Sequence, residues 1–224
     1  MVVRARVAPP RVRLVLTDAE LDVLEHAAST IPMRSYEFVA DDYVITLFDT
    51  VLDYQNQAGA IRKALDHYRA NHYKEIRTLD DLEGVFDRFP DDRDGNDELA
   101  QYLWGNHHWR RAGELRDLAA YFRERNVTTL RRLRTWAQRS RQEDFVGHIK
   151  GLGPAVYRSL VMRMGVDTVK PDVHVLRFVS GAVGRRVSQD EAVTSLQEVA
   201  VRLGVPAGDL DWSVLQYQKE GASR

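Results

Sequence analysis

The sequence predicts an all-α fold, on the strength of three observations. Apolar residues recur at the three- and four-residue spacing of helices through most of the chain. Residues that cap helix N-termini stand directly before these segments, as Thr17 does with Glu20 three residues later. The stretch RVRLVL at residues 11–16 is the only strand-like run, and a single run cannot form a sheet. We therefore predict about ten short helices and no sheet.

The predicted helices follow one another with short breaks. Thr17 opens the first of them, and Thr78 and Ser188 stand at the N-cap position of two later ones. The stretch PDDRDGNDE at 90–98 is the clearest predicted loop, because Pro, Gly, Asn and Asp favour turns. The remaining predicted helices lie in YVITLFDTVLDYQNQ, AGAIRKALDHYRANHY, TLDDLEGVFDRF, DELAQYLWGN, WRRAGELRDLAAYFRERN, VTTLRRLRTWAQRSRQ, AVYRSLVMRMG, DVHVLRFVSGAV, SQDEAVTSLQEVAVRLG and LDWSVLQYQ.

The composition is that of a soluble globular protein, with 44% hydrophobic and 29% charged residues. The chain contains no cysteine, which excludes disulfides, thiolate zinc sites, iron–sulfur clusters and a cysteine nucleophile. No apolar run approaches the ~20 residues that a membrane-spanning helix needs. Arg and Pro interrupt the N-terminus every few residues, unlike a signal peptide. We expect a cytoplasmic protein without a membrane partner.

The charge is unevenly distributed, although the formal net charge is only −1. Residues 74–98 include ten acidic and four basic side chains, whereas residues 107–141 include ten Arg and three acidic side chains. A block this basic predicts a face that attracts a polyanion. A solvated helix surface is the alternative interpretation.

The stretch IKGLGPAVY contains two glycines one residue apart, followed by a proline. Gly151 and Gly153 permit positive φ and a close approach of the backbone to a ligand. Pro154 suits the first turn of a helix, where its missing N–H costs nothing. Free N–H groups at such a helix start bind phosphate, and Lys150 adds a positive charge. A plain connection between two helices is the alternative.

The stretch VKPDVHVLRF places a carboxylate at the start of another helix. Pro171 favours an extended Lys170, so Asp172 stands where loop becomes helix. Asp172 could simply cap its own helix, or it could be held rigidly at the rim of a cleft. His174 and Arg177 follow on the helix, where Arg177 can reach a phosphate or pair with an acid.

Together these motifs resemble the helix-hairpin-helix-GPD superfamily of DNA glycosylases, specifically its endonuclease III-like branch. IKGLG is similar to the family's hairpin, and the spacing from it to Asp172 fits the family closely. The family's Asp is followed by His at +2 and Arg at +5, matched here by His174 and Arg177. Gln55 stands where members carry a Gln that probes the DNA stack. The resemblance covers roughly residues 35–185.

The resemblance implies two helical subdomains with a DNA- and base-binding cleft between them. Residues 35–158 would form a subdomain like a six-helix barrel, including the helix-hairpin-helix at about 140–164. Residues 1–34 and 159–224 would form the second helical subdomain, which carries the catalytic Asp172 at the cleft.

The resemblance also implies an activity. Members rotate a damaged, mismatched or modified base out of the duplex and hydrolyse its N-glycosidic bond, leaving an abasic site. Such an enzyme serves base excision repair, or defence against modified phage DNA. Bifunctional members carry a Lys two residues after the second hairpin glycine. That position is Ala155 here, which implies a monofunctional enzyme without lyase activity.

Double-stranded DNA is the implied partner of a monomeric enzyme. The implied DNA-binding residues are Lys150, Gly151, Gly153, Gln55, His174 and Arg177. The resemblance implies no metal or other cofactor, and it leaves open whether the hairpin binds a monovalent cation. The alternative function is a non-catalytic DNA-binding protein on the same scaffold, and a third is an unrelated all-α protein.

A base pocket is implied at Asp49, Asp53, Tyr54 and Tyr157. Asp49 falls where adenine-removing members have a catalytic Glu, and a solvent-facing Asp is the alternative. Tyr157 lies near the missing lysine position, where it could stack on the base or belong to the core.

Overall fold

The computed structural model describes residues 16–53 and 58–221, and helices are the main secondary structure in this part. This part contains eleven α-helices, one 3-10 helix and no strand, so the predicted all-α fold class is confirmed. The α-helices are α1 (Asp18–Ser29), α2 (Tyr43–Leu52), α3 (Ala58–Asn71), α4 (Leu79–Phe86), α5 (Arg93–Trp104), α6 (Trp109–Glu124), α7 (Leu130–Arg139), α8 (Pro154–Arg163), α9 (Val173–Val183), α10 (Gln189–Leu203) and α11 (Ala207–Gly221). The 3-10 helix is Gln142–Asp144.

The chain divides into two compact units, of which the larger is Tyr36–Lys170. In this unit α2 packs against α3, α4, α6 and α8. Eight of the ten residues of α2 are buried, as a helix surrounded by neighbours requires. Phe48 is fully buried in α2 and meets the rings of Tyr68 and Trp104 edge-on, at centroid distances of 4.8 and 5.5 Å.

The smaller unit joins Met1–Ser35 to Pro171–Arg224. Helix α1 packs against α9 and α10, and α11 packs against the same two helices. Arg185 links the start of α1 to α10, because its guanidinium pairs with both Glu20 and Glu191.

The N-caps predicted from the sequence are present in the structure. The predicted capping box of Thr17 with Glu20 is confirmed. Thr78 and Ser188 are also N-caps, and each forms a capping box with the acidic residue three positions later. These signals are reliable because donor and acceptor lie within one helical turn.

The loop predicted at 90–98 was wrong in extent, because α5 already begins at Arg93. Asp92 caps the helix by accepting a hydrogen bond from the Gly95 N–H at 2.8 Å. A Cβ at Gly95 would collide with the Pro90 backbone, so this glycine serves close packing within the first turn. Turn-forming residues here begin a helix.

Among the described residues, no helix combines the length and the apolar character needed to cross a membrane.

Candidate functional site

The turn that precedes α8, residues 148–154, is anchored by its two aliphatic side chains. Ile149 and Leu152 are 3% and 2% exposed, whereas Lys150 and Gly151 between them are exposed. Gly151 has φ +93°, and an added Cβ would also collide with the carboxylate of Glu114. The sequence therefore needs glycine at this position, and we call residues 148–154 the glycine turn.

The end of the glycine turn exposes the backbone at the start of α8. Gly153 is the N-cap, with φ −95° and ψ −169°, and Pro154 occupies the first helical position as predicted. No side chain of the described residues caps this helix. A Cβ on Gly153 would meet nothing within 4 Å, so this side of the backbone is open. The N–H groups of the first turn can therefore receive an anion.

The segment before the turn, which was expected to form the first hairpin helix, contains only the three-residue 3-10 helix Gln142–Asp144 followed by turns, so no α-helix forms there. Phe145, directly after the 3-10 helix, is fully buried and packs against Tyr121 and Tyr157. This apolar anchor fixes the chain where it enters the glycine turn.

Asp172 is the N-cap of α9. Its Oδ1 accepts hydrogen bonds from the N–H groups of His174 and Val175, at 2.8 and 3.0 Å. Its Oδ2 has no hydrogen-bond partner among the described residues, and the side chain is half-buried. One carboxylate oxygen therefore fixes the orientation of the group and leaves the other oxygen available.

Two other predicted residues lie on α9. The His174 Nδ1 is buried without a hydrogen-bond partner in the described part of the chain. Arg177 is exposed, and so is Lys150 in the larger unit. Gln55 and Tyr54, which the resemblance assigned to DNA and base contacts, lie outside the described residues.

Asp53 is held at the end of α2 by three groups from the later part of the larger unit. Its Oδ2 lies 3.0 Å from each of the Ser159 Oγ, the Arg163 Nη2 and the Lys170 Nζ. Burial alone would raise the pKa of Asp53, but the charges of Arg163 and Lys170 and the hydrogen bonds outweigh it, so the pKa is lowered. Asp53 is thus an ionised, structural carboxylate.

Asp49 lies one turn earlier on the same helix and differs sharply from Asp53. Burial raises the pKa of the Asp49 carboxyl; the Arg163 charge opposes the shift, and the Asp53 carboxylate adds to it. The Asp49 side chain is half-buried and makes no hydrogen bond to any described residue. The Arg163 Nη1 is buried without a hydrogen-bond partner among the described residues. A carboxyl whose pKa is raised, next to a carboxylate that stays ionised, can act as a proton donor.

Tyr157 takes the core position that the sequence left open. The side chain is 4% exposed, and its hydroxyl donates to the Ser140 carbonyl at 2.8 Å. Its ring packs against those of Trp136 and Phe145. Because Tyr157 is almost fully buried, its ring has no open face for a base. Ala155, at the family's lysine position, is half-buried.

The basic block at 107–141 is partly neutralised by the acidic segment that precedes it. Arg123 pairs with Asp80 and Glu83, and Arg116 donates to the Asn96 side chain and to the carbonyls of α4 and the loop after it. The sequence could not reveal these pairs, because the partners lie 20–43 positions apart. At least two of the ten arginines of the predicted basic face therefore hold the larger unit together.

The described residues contain no group of three or more His, Asp and Glu side chains that could hold a metal ion. The candidate residues described above therefore offer backbone donors in the glycine turn, carboxyl groups and exposed cations, without a metal-binding cluster among the described residues.

Comparison with protein families gives one match, to a model that covers residues 48–219. The family is described as a domain of unknown function, DUF8548. The chain belongs to this family. No curated protein and no solved structure matches it. The DUF8548 domain spans the glycine turn, Asp49 and Asp172, so all of these candidate residues are part of one family domain.

Proposed function

We propose that this DUF8548 protein is a monofunctional DNA N-glycosylase. The observation that carries the proposal is Asp172, whose Oδ1 is held by two backbone N–H groups while Oδ2 has no hydrogen-bond partner among the described residues. A fixed carboxylate with a free oxygen suits the reaction, because cleavage of the N-glycosidic bond builds positive charge on the sugar. The resemblance to the helix-hairpin-helix-GPD family supports the same assignment.

The proposed reaction is a hydrolysis. The Oδ2 of Asp172 stabilises the cationic sugar and accepts a proton from the attacking water, whose oxygen bonds to the sugar carbon. The electron pair of the broken bond leaves with the base, which takes up a proton. The products are a free base and an abasic site in an intact strand.

Asp49 is the proposed donor of the proton to the leaving base. Its raised pKa keeps the carboxyl protonated to a higher pH than an ordinary aspartate, as a general acid requires. Asp53 maintains this state by staying ionised next to it. The resemblance places a catalytic carboxyl of adenine-removing glycosylases at the same position.

The glycine turn is the proposed phosphate site. It has an open backbone at Gly153, an uncapped helix start and an exposed Lys150. The base must leave the stack before the bond is accessible, and Gln55 is proposed to fill the space that it vacates. His174 and Arg177 complete the proposed DNA-binding set.

Ala155 occupies the position of the lysine of bifunctional members, and this determines the expected product, an abasic site in an uncleaved strand. A lysine there could form a Schiff base with the opened sugar, which leads to strand cleavage. We therefore expect borohydride to trap no covalent complex between the protein and DNA.

The proposal is tested with duplexes that carry mismatched, deaminated, oxidised or alkylated bases, and with modified phage DNA. Released bases are identified by mass spectrometry, and abasic sites are cleaved with alkali. We expect release of one base class and strand breaks only after alkali. If the whole panel yields neither a free base nor an alkali-labile site, the proposal fails.

The second candidate is a non-catalytic DNA-binding protein on the same scaffold. It is favoured by the role that Asp172 already has as the cap of α9. Tight DNA binding without release of any base would support this alternative.

A further inference from the structure

A cleft of about 890 Å³ opens on the larger unit, lined by the residues that directly follow α6, by α7, by the 3-10 helix and by His148 of the glycine turn. Helix α7 contributes Arg131, Arg132, Trp136 and Arg139 to the lining. We call this the arginine cleft.

Two of these arginines have no partner in the described part of the chain. Arg132 donates to the carbonyl and side chain of Asn126. The side chains of Arg131 and Arg139 are exposed and make no hydrogen bond or ion pair with the described residues. The two residues are two helical turns apart, about 12 Å along the axis. Guanidinium groups bind phosphate through paired hydrogen bonds, so these two cations favour a phosphate-bearing ligand.

Helix α7 also carries Trp136, which lies between Arg131 and Arg139 in the sequence and adds an aromatic ring to the lining. Trp136 is half-buried, and its ring is held by Phe122, Phe145 and Tyr157 at centroid distances of 5.1, 6.0 and 6.2 Å. An aromatic side chain with a fixed orientation in a basic groove can stack a nucleobase.

Glu143 also lines the arginine cleft and has no partner among the described residues. Its carboxylate repels a purely anionic ligand and accepts hydrogen bonds from amino or hydroxyl groups. The lining therefore suits a ligand that carries a phosphate, an aromatic ring and hydrogen-bond donors.

We infer that the arginine cleft binds a nucleotide, with its phosphate at Arg131 and Arg139 and its base against Trp136. The nucleotide is either free or part of a nucleic-acid strand. This inference does not depend on the glycosylase activity, because Arg131, Trp136 and Arg139 are neither the proposed DNA-binding residues nor the aspartates of the proposed reaction, although His148 of the glycine turn also lines the cleft.

The test is calorimetric titration of the full chain with 2′-deoxyadenosine 5′-monophosphate and with a short single-stranded oligodeoxyadenylate. We expect the double variant Arg131→Gln, Arg139→Gln to weaken binding at least tenfold. The matched control is Arg62→Gln, Lys63→Gln, which removes two exposed charges from α3 and should change the affinity less than twofold. Circular dichroism verifies that each variant is folded.

The variant Trp136→Phe tests whether the ligand binds next to Trp136. Binding of the mononucleotide should quench the tryptophan fluorescence of the wild type, and this quench should disappear in the variant. Binding of the oligonucleotide alone, with the same arginine dependence, supports the inference and identifies a strand as the source. The inference is overturned if neither probe binds, if the arginine variant binds both normally, or if inorganic phosphate binds as tightly as the nucleotide.

Discussion

Asp49 and Asp53 lie one turn apart on α2, and the pKa values of their carboxyls shift in opposite directions. The difference arises because three donors surround Asp53, whereas Asp49 is half-buried without a hydrogen bond to the described residues. One carboxyl therefore has a structural role and the other has a role in the proposed chemistry.

Asp49→Asn should make the protein more stable at neutral pH. The folded pKa of Asp49 is above its unfolded value, so the buried charge costs free energy once the pH rises through the folded pKa. Asparagine removes this cost, and the advantage should shrink as the pH is lowered. Urea unfolding over a pH series measures the effect. A variant that is no more stable than the wild type near neutral pH would contradict the assignment.

Asp53→Ala should have the opposite effect. The substitution leaves Arg163 and Lys170 without their shared partner. We expect a loss of about 2 kcal/mol in the free energy of unfolding, less than for a fully buried pair because the Asp53 side chain is 27% exposed. The lowered pKa of Asp53 implies that this stabilisation exists above the unfolded pKa and is lost as the pH falls through the folded pKa.

The matched control for this loss is Glu220→Ala, which breaks an ion pair with Arg34 whose side chains are 44% and 57% exposed. Exposed pairs contribute about 0–1 kcal/mol, so the control should cost much less. Equal losses in the two variants would show that Asp53 has no special structural role.

Among the elements, the glycine turn depends on Gly151 more than on its neighbour Gly147. Both have positive φ, at +93° and +92°, but only Gly151 faces the Glu114 carboxylate, which is itself paired with Arg111 at 2.7 Å. An alanine at Gly147 meets open space and incurs only backbone strain.

Gly151→Ala is therefore predicted to cost about 1 kcal/mol more stability than Gly147→Ala, since a side chain at Gly151 also displaces Glu114. It should also weaken DNA binding by distorting the phosphate site. Denaturant unfolding and fluorescence anisotropy with a labelled duplex measure the two effects. If the two variants behave alike in both assays, the turn does not work as proposed.

Local signals in the sequence predicted the elements well. The capping box at Thr17, the N-caps at Thr78 and Ser188 and the helix start at Pro154 depend on residues within one turn, and all are confirmed. The predicted loop at 90–98 failed because Asp92 and Gly95, which also favour turns, begin α5. Asp53 could not be assigned a structural role from the sequence, since its partners are more than 100 positions away.

For the whole molecule, the charge pattern of the sequence overstated the surface available to DNA. Arg123 is paired with the acidic segment, whereas Lys150 is exposed on the glycine turn. Composition alone cannot separate a structural arginine from a free cation, because the difference depends on tertiary contacts.

Lys150→Gln and Arg123→Gln should consequently separate DNA affinity from stability. Lys150→Gln should weaken binding to all duplexes and reduce the salt slope of the affinity by about 1, with little effect on stability. Arg123→Gln should destabilise the fold by about 1 kcal/mol and leave the salt slope unchanged. The reverse pattern would place the phosphate contact on the arginine block.

The most direct measurement of the proposed activity is the rate of base release by Asp172→Asn, compared with the wild type and with Asp92→Asn. Asparagine keeps an oxygen that can cap α9, and Asp92 caps α5 in the same way, so both variants should fold. We predict wild-type rates for Asp92→Asn and at least 100-fold slower release by Asp172→Asn, with DNA affinity retained. Full activity of Asp172→Asn would contradict the proposed mechanism.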